Sequence, residues 1–271
     1  FKMLFLATII LLFQMIIGGF RWTAVLKSIG IGLSFWETVR LIYIGIFFNQ
    51  TLPGGTGGDV VRVYLIYKDN WGFRGALNGV LLERVAMVLA LVFLVLATLP
   101  FFVSKLDDVG RSWVMPSVSF ISLVALFGFG CLCLLDRLPI GLRRWRFVRG
   151  LGNLSEDSRK VFLEPRVALR ALGLSIFGHI NVAIAVYVLA LGLNLQVGIL
   201  DSIVLMPPVL LVMTIPISVG AWGVRENAMV VAFGLIGVSA EAATVLGLLL
   251  GLIGLVVAIP GGLLWFSSRK R

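Results

Sequence analysis

Side chains that bind metals are almost missing from this sequence: one histidine, His179, and two cysteines, Cys131 and Cys133, in 271 residues. No His/Cys ligand spacing can be built from them, and no nucleophile and base motif stands out, so a metal enzyme or a hydrolase lacks its parts. The cysteines lie two apart in one apolar run. On a helix they point to different faces, which argues against a disulfide, and they read as small core residues. Charge is scarce too, at 13% of the chain. The longest hydrophilic stretch, residues 136–170, falls short of the ~40 residues below which a chain rarely folds alone. The glycines do not match a phosphate-binding loop, and the strand-then-helix context of a dinucleotide fingerprint is absent. No cofactor, metal or catalytic residue is expected.

What the chain has instead is apolar sequence from end to end, 59% hydrophobic with a mean hydropathy of +1.06. Runs near or above the ~20 residues that cross a bilayer leave helices or closed barrels, and the runs are continuous rather than alternating. The fold expected is an all-α, polytopic helical membrane protein, with about seven spans plus two broken or re-entrant elements. The formal charge of +10 sits in short loops, where it follows the orientation rule for membrane helices, so nucleic acid is not an expected partner.

In order, Phe1 to Phe20 is a span ending in a basic loop at Arg21 and Lys27. The chain starts without Met and without a cleavable signal pattern, so a trimmed N-terminus with a further helix upstream is expected. Leu33 to Thr51 carries Glu37 and Arg40, and Gly75 to Val103 carries Glu83 and Arg84. Pro116 to Leu135 spans, and the cytoplasmic basic loop follows at about 136–166. Residues 136–170 hold nine of the 23 Lys and Arg. Ala171 to Leu193 spans, Asp201 to Pro216 is broken by Pro207-Pro208, and Ala240 to Phe266 spans before the basic C-terminus. Asp201 and Glu241 fall where N-terminal capping explains them. His179 reads as a packed, hydrogen-bonded histidine.

Two breaks interrupt this pattern. Thr51-Leu-Pro-Gly-Gly-Thr-Gly-Gly-Asp-Val-Val-Arg62 stops a helix near Pro53 and lets a second start near Asp59. A shift of 163 residues superposes it on Thr214 to Arg225, with Thr51, Pro53, Gly57, Val61 and Arg62 falling on Thr214, Pro216, Gly220, Val224 and Arg225. Residues 33–103 and 196–266 form a candidate repeat pair within one transmembrane domain, 1–271. The loops near Arg21, at 143–170 and at the C-terminus are basic, and those near Asp107 and Asn194 are not, so the repeats run in opposite directions. Inverted repeats with paired broken helices point to a transporter with its site between them.

The same stretches, with Leu82-Glu83-Arg84 and Pro216 to Glu226, resemble the transmembrane region of lysylphosphatidylglycerol synthases and their stand-alone flippase-like relatives. The resemblance covers nearly the whole chain. It implies a membrane domain that moves a lipid between leaflets, aminoacylated phosphatidylglycerol in the fused enzymes. This chain departs from those in lacking a stretch long enough for the soluble transferase domain, and the lipid stays open.

Ionisable residues at bilayer depth cost several kcal/mol, so Arg62, Glu83, Arg84, Arg225 and Glu226 should face a cavity or one another. Arg62 and Arg225, one from each repeat, are placed to hold a lipid phosphate. Amides at Gly55, Thr56, Gly57 and Gly58 would add donors at a half-helix start. Asp59, Glu83 and Glu226 would counter the arginines or meet a headgroup amine. Neighbours on a helix project about 100° apart, so Glu83 and Arg84, and likewise Arg225 and Glu226, are expected to find separate partners. The competing reading puts Arg62 and Asp59 at the membrane surface, with the glycines as a tight turn. The function expected is a lipid translocase for an anionic or aminoacylated phospholipid or a related lipid. The alternative is a membrane-embedded lipid or glycan transferase, or its accessory subunit, with Asp59 or Glu83 as a base. Membrane lipid is the expected partner, and the oligomeric state is left open.

Overall fold

In a computed structural model, residues 1–52, 56–104, 108–134, 146–215 and 218–268 are described, and among them the chain is helical without a strand. Among the described residues ten α-helices follow in order: α1 (Lys2–Ser28), α2 (Phe35–Thr51), α3 (Gly57–Ile66), α4 (Phe73–Val103), α5 (Asp108–Leu134), α6 (Arg146–Phe162), α7 (Pro165–Gly192), α8 (Ile199–Met213), α9 (Val224–Gly234) and α10 (Ala240–Ser268). Among the described residues, α1, α4, α7 and α10 are long and apolar enough to cross a membrane, while Val118–Leu134 of α5 and α8 are apolar but shorter. Phe93, Phe127, Leu169 and Leu263 are each more than half exposed. Such faces are a liability in water and the normal lipid-facing surface in a bilayer.

Local chemistry sets the helix ends. Ser34 caps α2 reciprocally with Glu37: its hydroxyl accepts the Glu37 N–H and its own N–H donates to the Glu37 carboxylate. α2 stops at Thr51, two residues before Pro53, because the residue preceding a proline avoids helical backbone. α3 runs into a wide π-type turn, Tyr67–Trp71, which reverses through Asn70 at φ 65° before Gly72 at φ 75° opens α4. Pro165 starts α7, where its missing N–H costs nothing. Asp201 caps α8 by accepting the Gly198 N–H.

Four expectations change here. Arg21 does not end the first helix: α1 continues to Ser28, and Arg21 is buried within it. Pro207 and Pro208 do not break α8, which continues through both; prolines are tolerated in helices packed among others in a membrane. Cys131 is exposed rather than in the core. The segment expected as a basic loop also contains α6, which buries Ser155, Asp157, Ser158 and Val161 against the bundle.

Packing is reciprocal. α1 lies along α7, α2 against α10, and α8 against α4, with α3 folded onto α2 and α9 onto α10. Glycines let the backbones approach: a Cβ at Gly261 of α10 would collide with the Tyr43 carbonyl of α2, and one at Gly58 of α3 with the Gly45 carbonyl of α2. Small residues at helix contacts are the usual means of close packing in lipid, where apolar burial alone drives no association.

Candidate functional site

The first break carries a line of buried charges from three helices. On α3, Asp59 and Arg62 are one turn apart and face the same way. On α4, Glu83 and Arg84 are neighbours and diverge as expected. Glu83 accepts from Arg21 of α1 at 2.8 Å and from Arg62 at 2.6 Å. Asp59 pairs with Arg62 on one oxygen and with Arg84 on the other. The line runs Arg21, Glu83, Arg62, Asp59, Arg84, three guanidiniums to two carboxylates. Glu83 and Arg62 are 2% and 7% exposed, so each ion depends on its partners for the solvation that burial removes. Arg62 also lies over the Trp22 ring at 4.5 Å, and Trp22 is held by its indole N–H on the Gly79 carbonyl at 3.0 Å.

The second break is built differently around a matching arginine. Arg225 and Glu226 pair with each other, contrary to the separate partners expected: Nε and Nη2 donate to one carboxylate oxygen at 3.0 and 2.7 Å. The reason lies at the helix start. Glu226 turns back to cap α9 on the Gly223 N–H at 2.5 Å, and this brings its carboxylate beside the preceding guanidinium. Trp222 stacks on Arg225 at 4.6 Å, as Trp22 does on Arg62. Gly251 of α10 leaves the space that the Arg225 guanidinium fills.

Between the two breaks lies a cavity of about 250 Å³. Asn49 and Gln50 from the end of α2, Thr56, Arg84 from α4, and Thr214 and Ser218 from the second break supply its polar wall. Of the residues proposed from sequence, Thr56 and Arg84 are in that wall. Arg62 and Arg225 are not among its described lining residues; each is closed in its own pairs. Gly57 packs on Leu52, and the Gly58 N–H donates to Asn49 Oδ1 at 2.8 Å, so this amide already has a partner. Gly55 lies outside the described residues, as do Pro53 and Pro216.

Sequence reasoning missed Arg21, counted as a loop cation, and the pair Asn49-Gln50, whose position directly before the break was the available signal. It also missed the stacking partners Trp22 and Trp222. His179 sits as expected, packed with Nε2 3.1 Å from the Met87 carbonyl. Nearby, Asn181 donates to the Ile10 carbonyl at 2.8 Å, tying α7 to α1.

The family model described as the lysylphosphatidylglycerol synthase transmembrane region matches residues 1–262. The chain belongs to that family. A UPF0104 membrane protein of Pyrococcus horikoshii is 32% identical over 102 residues, a match covering 36% of this chain and 30% of that relative's length. No solved structure matches. Family and helices together make this a multi-pass membrane protein of lipid-related function.

Proposed function

We propose that the protein is a lipid translocase, without chemistry of its own, that takes the anionic headgroup of a membrane phospholipid into the cavity between its two breaks. The observation that carries this reading is the cavity wall, in which amides and hydroxyls from both breaks surround Arg84. Among the described ion pairs, Arg84 is the most exposed of a line of five charges whose formal sum is +1, its side chain 31% exposed where that of Asp59 is 12%. Asp59 pairs with it. A phosphate offers the same guanidinium a stronger, multidentate acceptor, while Asn49, Gln50, Thr56 and Ser218 are suited to its remaining oxygens and to headgroup hydroxyls. Arg62, Glu83 and Arg21 hold Asp59 in place from behind.

The reciprocal packing supports an inverted repeat wider than the sequence comparison drew it. A shift of 163 residues carries α1 onto α7 and nearly superposes α2 on α8 and α4 on α10. α2 also packs on α10 and α8 on α4, each across the two sets. Two such halves rocking about the shared cavity would open it to one leaflet and then the other. By the positive-inside rule, the 136–166 segment and the C-terminus are cytoplasmic.

The test is leaflet exchange of labelled phosphatidylglycerol in liposomes. Arg84→Ala is expected to slow exchange roughly tenfold or more, since a hydrogen bond to a charged group is worth ~1.5–3 kcal/mol. Exchange at the wild-type rate in this variant overturns the headgroup site.

A further inference from the structure

Beside the polar cavity lies a second one of about 260 Å³, of opposite character. Val92 and Val95 of α4, Val118 and Ile121 of α5, and Leu211 and Val212 of α8 form its walls. Two hydroxyl residues, Ser122 and Thr214, join them, and the Thr214 hydroxyl donates to the Leu211 carbonyl at 2.7 Å. Thr214 and Ile215 belong to the walls of both cavities, so the two share a partition at the second break. Ile121 and Val212 are 41% and 42% exposed, on faces that meet lipid in a bilayer.

We propose that this groove between α4, α5 and α8 holds a hydrocarbon chain of the same lipid whose headgroup enters the polar cavity. The inference rests on the headgroup reading above and adds a substrate class to it: a lipid with a flexible acyl or isoprenyl chain, admitted sideways between α5 and α8. Apolar cavities of about 150 Å³ already stay dry and take up apolar guests, so a wider one beside a membrane fills with chain. The driving force is not hydrophobic transfer, since the chain begins in hydrocarbon. The arrangement instead lets a headgroup reach Arg84 without drawing methylenes through a polar wall, which a polar cavity alone would not allow.

Phosphatidylglycerol with a diazirine midway along one acyl chain, in liposomes containing the full chain, reads this out by photolabelling and peptide mass spectrometry. Label is expected on residues 92–95, 118–122 and 208–212. Ile121→Trp with Val212→Trp plugs the mouth from positions exposed enough to accept the bulk. That double variant should lose the label and slow exchange roughly tenfold, as filling an occupied space does. Leu263→Trp, on the exposed face of α10, should do neither. Label spread evenly over the exposed helix faces overturns the groove. So does wild-type exchange in the plugged variant, and if Arg84→Ala still slows exchange there, the headgroup site stands without the groove. Wild-type exchange in Arg84→Ala removes the headgroup site, and this inference with it.

Discussion

Glu83 is the residue on which the first break depends, because one carboxylate serves two arginines from different helices. Glu83→Ala leaves Arg21 and Arg62 buried without it, and breaking a buried pair costs about 3–5 kcal/mol. A drop in thermal stability in detergent on that scale is expected, much larger than for Arg74→Ala, since Arg74 and its partner Glu156 are both half exposed. Ala221 offers the opposite case. It lies at φ 60°, a left-handed backbone that costs a residue with a Cβ about 1–2 kcal/mol. Ala221→Gly removes that strain and returns part of it as unfolded-chain entropy, so a net gain of about 0.5–1 kcal/mol is expected in the same melting assay. The stacking of Trp22 and Trp222 under the two arginines was not legible from sequence, since neither tryptophan holds a spacing to its arginine that repeats in the other break.

At the level of elements, contacts without side chains matter most. Gly261→Val places a branched side chain against the Tyr43 carbonyl, so α10 and α2 must separate. A cysteine pair engineered across these helices should crosslink efficiently in the parent and poorly with Gly261→Val. α6 is held by charge as well as by its buried Val161 and Phe162. Buried Asp157 accepts from Asn78 at 2.7 Å and pairs with Lys160, whose ammonium is held protonated above its usual range by hydrogen bonds to Asp157 and then Glu156. A raised pKa gives stability that is complete below the ordinary lysine value and is lost as pH rises through the folded one. Protease sensitivity of α6 should therefore stay flat across neutral pH and rise only above about pH 10.4. Apolar runs and capping residues located most helices in advance. The continuation of α1 past Arg21 and of α8 through two prolines was not legible, because each depends on what other helices offer a charge or a bare carbonyl.

For the whole molecule, the distinguishing property is that two breaks far apart in sequence share one cavity, with an apolar groove against it. A translocase built this way should exchange lipids with an intact headgroup phosphate and ignore the same lipid with a neutral diacylglycerol headgroup. Competition among labelled lipids in liposomes checks this, and equal exchange of both would remove the anion as the recognised feature.

Composition and the length of apolar runs by themselves determined the helical membrane class, since only helices satisfy their backbone along a continuous apolar run in lipid. The motif around Thr51 to Arg62, with its echo at Thr214 to Arg225, was enough to point to the family and to locate both breaks. Which arginine meets the cavity was decided only in three dimensions. Arg62 and Arg225 carry the repeated pattern, but each is closed by partners that folding brings in: Glu83, Asp59 and Trp22 for one, Glu226 and Trp222 for the other. Arg84 carries no repeat signal, yet its helix turns it toward the space between the breaks. Pairing in a medium without water is a matter of which charges arrive within reach of each other, and that depends on helix packing rather than on spacing along the chain.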